Sequence, residues 1–162
     1  MDQTSTSTQR SALPSLEDEQ AIRQIVDLLF ISTDQKAWSQ ARQLFIDGLI
    51  EVDMSSLVRG SAVQMTADDL LGGFTVGLHA EKISHHMATN YQITVTGDEA
   101  EVWTHGYSWN RLLHYHGGSD LWETWGNYHL SLRRTAQGWR LSAFRYFATY
   151  NRGNELIRTH TR

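Results

Sequence analysis

The stretch YQITVTGDEAEVWTHGYSWNRLLH, residues 91–114, decides the fold. Tyr91, Ile93 and Val95 alternate with Gln92, Thr94 and Thr96. That period of two turns one face of a strand to a core and the other to water. Gly97-Asp98 supplies a tight turn, and residues 100–114 read as a second, long strand. Strands joined by so short a turn run antiparallel, because parallel neighbours need long crossovers. The pattern continues toward the C-terminus. Gly117-Gly118 breaks the chain, a third strand covers about 121–134, Ala136-Gln137-Gly138 turns, and a fourth covers about 139–150. The meander begins near residue 83, with His85 and His86 at its start.

Toward the N-terminus the period lengthens to 3.6. Ser15 and Asp18 resemble a capping box, and Ile22, Ile25, Val26 and Leu29 predict a helix to about Ser32. A short helix follows over about 37–45, with Trp38, Ala41, Leu44 and Phe45 on one face. Asp47-Gly48 turns into a short strand over 49–53. Thr66 and Asp69 cap a third helix carrying Leu70, Leu71, Phe74 and Leu78, in which Gly72-Gly73 would permit close helix packing. Three helices ahead of a curved antiparallel sheet make an α+β fold, the helices covering one face. One domain is expected over 15–154, with a disordered leader at 1–14 and a frayed polar tail at 155–162.

A chain of 162 residues suits that single domain. The absence of Cys excludes a disulfide scaffold, a thiolate nucleophile and any Cys-ligated metal. A net charge of −4 with no basic stripe argues against a nucleic-acid partner. No apolar run approaches the roughly 20 residues of a membrane span. The leader lacks the basic start and apolar centre of a signal peptide, so a cytoplasmic location is expected.

Among groups able to do chemistry, Arg145 comes first. Strict alternation puts it on one face with Trp139, Leu141, Ala143 and Phe147, an apolar face that should meet the helices. There it either meets an anion in a wet cavity or forms a structural ion pair, because an unpaired buried charge is costly. A slip of register would instead turn it outward. Asp34, after Leu28-Leu29-Phe30-Ile31, is either a helix-ending turn residue or half of an acid/base pair. His85 and His86 face opposite ways, and an inward His beside a carboxylate makes a general base near neutral pH. Alternation alone turns His85 inward, with Met87, Tyr91, Ile93 and Val95; a β-bulge near Ala88 or Asn90 would turn His86 inward instead. His105, His114, His116 and His129 are scattered without metal-ligand spacing, so no metal is expected. No phosphate-binding loop, dinucleotide fingerprint or serine-hydrolase elbow occurs.

The order of these signals resembles a known family. It runs through a capped helix ending in Asp34, Leu44-Phe45, a strand with Asp53, and His86-x-x-Thr89-Asn90. It continues through Gly97-Asp98-x-Ala100, Asn110, Gly126-x-Tyr128, Arg134-Thr135-x-x-Gly138-Trp139-Arg140 and Gly153-Asn154. The chain resembles the SnoaL-like branch of the nuclear transport factor two-like superfamily over about residues 15–154. It is most similar to the group of scytalone dehydratase, bile acid 7α-dehydratase and hexachlorocyclohexane dehydrochlorinase. The resemblance implies a cone, a curved sheet wrapped around helices and enclosing a pocket. It also implies an enzyme without cofactor, in which His86 removes a proton from carbon and Asp34 orients it. Arg145 and Asn110 would stabilise an oxyanion or assist the leaving group, Asn110 standing where the bile acid enzyme has Asp. Leu29 and Phe30 stand where relatives carry tyrosines, with Tyr107, Tyr128 or Tyr146 as substitutes, and His105 or His114 matches a second His.

The resulting expectation is a lyase or isomerase acting on a polycyclic or aromatic-like apolar molecule such as a polyketide, steroid or terpenoid. Phe30, Asp53, Trp103, Tyr107, Trp109, Trp125, Tyr128 and Phe147 are expected to contact it. A polyketide cyclase and a non-catalytic ligand-binding or interaction protein of the same fold are the alternatives. Large groups on the sheet's outer face predict a homo-oligomer, a trimer ahead of a dimer.

Overall fold

The computed structural model describes residues 14–161; the predicted leader, apart from Pro14, lies outside them. Helix α1 (Leu16–Asp34) starts at Ser15, whose Oγ accepts from the Asp18 amide at 3.1 Å. The Asp18 carboxylate accepts from Arg134 at 2.9 and 3.0 Å and from Trp139 Nε1 at 2.9 Å. These bonds hold its pKa at about 2 and pin the helix start to the far end of the sheet. Helix α2 (Trp38–Arg42) is shorter than expected, and strands β1 (Leu49–Asp53) and β2 (Val63–Thr66) form a hairpin-like pair. Helix α3 (Ala67–Gly77) opens with a complete Thr66–Asp69 capping box. No atom lies within 4 Å of where a Cβ would stand on Gly72 or Gly73, so the pair makes no close helix contact.

The meander consists of β3 (Lys82–Thr96), β4 (Glu99–Leu112), β5 (Leu121–Thr135) and β6 (Gly138–Gly153). The sheet order is β2-β1-β6-β5-β4-β3, antiparallel throughout except that β1 joins β6 in parallel. Ile22, Val26, Leu29 and Phe30 of α1 are buried in one core cluster with Val102, Leu130, Leu132 and Leu141 of the sheet. Among the described residues no helix is long and apolar enough to cross a membrane.

Two features depart from the sequence reading, the docked tail and a bulge on β6, while a bulge on β3 falls at Asn90, one of the two positions that reading names. The tail is not frayed: α4 (Glu155–Thr159) buries Ile157 fully against Leu112 and Trp122. On β3, Thr89 faces His105 while Gln92 faces Trp103, so β3 carries an extra residue there. Asn90, at φ 58°, takes the left-handed conformation at this bulge. On β6, Leu141 faces Leu132 but Ala143 faces Ser131, leaving Ser142 extra and exchanging the faces beyond it.

Candidate active site

Asp34, the last residue of α1, reaches the start of β3. Its Oδ1 lies 2.6 Å from His86 Nδ1 and accepts from Ser84 Oγ at 2.9 Å. Its Oδ2 accepts the His86 amide at 2.8 Å. Burial works to raise the Asp34 pKa, but the hydrogen bonds and charge of His86, with Ser84, hold it below the ordinary carboxylate value. An ionised carboxylate only accepts, so Nδ1 is the donor of this bond and Nε2 is the ring nitrogen that Asp34 does not engage. Phe30 stacks on the imidazole at 5.9 Å between centroids and 8° between planes.

His86 borders a partly open cavity of about 240 Å³. Its apolar wall comes from Leu29 and Phe30 of α1, Met54, Leu57 and Val58 after β1, Phe74 and Leu78 around α3, Trp122 of β5 and Phe144 of β6. Gly73 and Gly77 leave that side open to the cavity. The polar wall carries Thr33, Ser108, Asn110, Thr124, Tyr128 and Tyr146, with Arg158 at the α4 side. Asn110 is 7% exposed, and its Oδ1 is buried without a hydrogen-bond partner. Tyr146 and Thr124 share a hydrogen bond at 3.0 Å. Burial raises both phenols, and for Tyr128 the Tyr146 and Asp34 charges add to it, so each stays an O–H donor at neutral pH.

Of the expected site residues, the fold brings His86, Asn110, Phe30 and Tyr128 together at the cavity wall, with Asp34 behind His86 and bonded to it. The others lie elsewhere. Trp103, Tyr107 and Trp109 occupy the odd positions of β4, whose even positions are buried throughout. They stand on the outer face, as does Trp125 of β5, where Tyr107 donates to Glu123 at 2.7 Å and Trp109 stacks on His85. The Ser142 bulge turns Phe147 and Arg145 to that same face. Phe147 stacks on Trp103, and Arg145 pairs with Glu51 at 2.6 Å and donates to Ser131 at 3.0 Å. The Arg145 alternatives thus resolve to a structural ion pair with shifted register. Asp53 ends β1 and accepts the Ser55 amide at 2.9 Å, outside the cavity. His105 and His114 do not border it either. His85, with 53% of its side chain exposed, is the outward member of the histidine pair. Among the described residues no three His, Asp or Glu are grouped to hold a metal ion.

Sequence reasoning missed Arg158, Trp122, Thr124 and Ser108 at the cavity. The last three share the strand parity of Asn110 and Tyr128 and were readable from it; Arg158 depends on where α4 docks.

A curved six-stranded sheet closing over helices, around a cavity fitted with a carboxylate–imidazole pair, defines a class of small α+β pocket proteins. The SnoaL-like domain model matches residues 14–145, and the chain belongs to that family, within the nuclear transport factor two-like superfamily. The Kfla4162 protein of Kribbella flavida is similar over 89% of this chain and 98% of its own, with TM-score 0.82 at 22% identity. A provisionally assigned scytalone dehydratase from Novosphingobium aromaticivorans covers 91% of each chain, with TM-score 0.72 at 17% identity. Hexachlorocyclohexane dehydrochlorinase LinA type 2 covers 85% of this chain and 88% of its own, with TM-score 0.66 at 16% identity. At these identities the likeness is one of fold. A search of the curated proteins finds no match.

Proposed function

We propose that the chain is a cofactor-independent lyase or isomerase of the dehydratase type, abstracting a proton from carbon beside an activating group. The observation that carries this reading is the 2.6 Å Asp34–His86 pair, with His86 at the wall of a largely apolar cavity. His86 Nε2 takes the substrate proton, and Asp34 fixes the tautomer and stabilises the imidazolium that forms. Tyr128 and Tyr146 supply O–H donors for developing negative charge on oxygen, and Asn110 anchors a polar substituent. Acid, base and anchor all come from the chain itself. A volume of about 240 Å³ falls below the roughly 300–1,000 Å³ of sites for drug-sized ligands. The substrate is therefore compact, one or two rings rather than a four-ring steroid.

The test is a panel of hydroxylated one- and two-ring ketones incubated in D₂O, with deuterium uptake and water loss followed by mass spectrometry. His86→Ala is expected to slow both by about 10²–10⁴-fold. His85→Ala, on the outer face, should leave them nearly unchanged. Activity that survives His86→Ala and dies with His85→Ala would remove the assignment, and exchange by neither wild type nor variants would favour a ligand-binding role.

A further inference from the structure

Resting on the reading of this cavity as the substrate site, we propose that Arg158 sets its specificity by binding a carboxylate on the substrate. Arg158 is the one Lys or Arg among the described residues that borders the cavity. Its guanidinium carbon stands 6.0 Å from the centroid of the Trp122 ring, itself cavity wall, and its side chain is 21% exposed. A guanidinium mostly buried beside a largely apolar cavity acts through a lower dielectric than water, where an anion gains more than it would in bulk solvent.

A second cation stands close to Arg158. Lys82, 1% exposed, donates its ammonium only to backbone carbonyls, Gly77 O at 2.7 Å and Arg158 O at 3.2 Å. Burial and the neighbouring Arg158 charge depress its pKa to about 8, which places the two cations close together. Among the described residues, the carboxylate paired with Arg158 is that of Glu155. Glu155, three residues before Arg158 on the same short helix, accepts from Arg158 Nε at 2.6 Å while 59% exposed. An exposed carboxylate on the guanidinium fork marks the shape of group the fork accepts, and solvent exposure leaves it free to yield to another. A phosphate dianion would call for further donors that this wall does not bring, whereas a carboxylate matches one planar fork.

Asn110 completes the description. Its buried, unpartnered Oδ1 borders the same cavity and calls for a donor from the ligand, which a hydroxyl or N–H group provides. The substrate class is thus a hydroxylated one- or two-ring carboxylic acid. Arg158 lies on α4, beyond the residues 14–145 that the family model matches.

Calorimetric titration with 2-naphthoate and with 2-naphthamide tests the proposal, since the two share a ring system and differ in charge. Wild type is expected to bind the acid about 10- to 100-fold more tightly than the amide. Arg158→Gln should erase that preference and leave amide affinity in place, and Arg158→Lys should keep part of it. Glu155→Gln, which removes the competing carboxylate, should tighten naphthoate several-fold without changing naphthamide. Equal binding of acid and amide by wild type, no acid binding at millimolar concentration, or a preference that survives Arg158→Gln would each overturn it. If Arg158→Gln fails to fold, Glu155→Gln decides, because a purely structural ion pair predicts weaker binding of both ligands there. The readout is binding, so the outcome is separable from the chemistry. An acid preference without proton exchange would remove the lyase reading and leave Arg158 assigned, and exchange without acid preference would do the reverse.

Discussion

Gly106 and Gly126 face each other across β4 and β5, and each seats one of the cavity's tyrosines. A Cβ on Gly106 would stand 2.3 Å from Tyr128 Cε2. One on Gly126 would stand 2.3 Å from Phe147 O and 2.8 Å from the Tyr146 hydroxyl. Only a bare backbone leaves room for both rings against these two strands. Gly106→Ala is expected to drive the buried Tyr128 ring inward, costing about 1–3 kcal/mol of stability by urea unfolding. It should also weaken naphthoate binding by shrinking the cavity. At this scale much was legible in advance. Asp34 after an apolar helix turn, and Gly126-x-Tyr128 on a strand, are local signals; Tyr128 lines the cavity and Asp34 holds the His86 that does. Arg145 was equally conspicuous in the sequence, yet a single bulge at Ser142 sends it to the opposite face.

The bulges matter because a strand has only two faces. Asn90 adopts φ 58° on β3, so His86 and Ala88 before it face the same way as Tyr91, Ile93 and Val95 after it. An unbroken period would have paired His85 with those apolar residues and left His86 in water. Helix α4 depends on a different device. Lys82 pins the carbonyl ends of α3 and α4 through Gly77 and Arg158 and is paired with no carboxylate among the described residues. Its pKa of about 8 against an ordinary 10.5 means that the folded chain holds fewer protons than the unfolded chain between those values. Stability then rises with pH across that window, since the unfolded state binds the extra proton. Relative to Lys82→Met, the wild type should gain stability from pH 8 to about 10.5 and show a constant difference below it. Chemical denaturation of both proteins along a pH series checks this, and a difference that stays flat or falls across the window would contradict it.

For the whole molecule, the sheet has two unlike faces. The inner one builds the core and cavity. The outer one exposes Ile83, Met87, Trp103 and Tyr150 at 44–57%, beside Trp109, Trp125 and Phe147. Contiguous apolar surface of this kind marks protein contact. Light scattering at micromolar concentration is expected to return a homo-oligomer, three chains ahead of two, and Trp103→Glu should reduce it to one chain; a wild-type monomer would refute the expectation. The amino-acid order alone determined the succession of helices and strands, the turns at Gly97-Asp98 and Gly138, the caps at Ser15 and Thr66, and hence the α+β class. Each of these is written in residues a few positions apart, where periodicity, capping and turn chemistry act. The tertiary structure alone decided which aromatic residues line the cavity, that Arg145 is paired outside it, and that α4 docks to bring Arg158 to its wall. Those outcomes follow from register between strands and from contacts between distant segments, and one inserted residue in a ladder reverses every side chain beyond it.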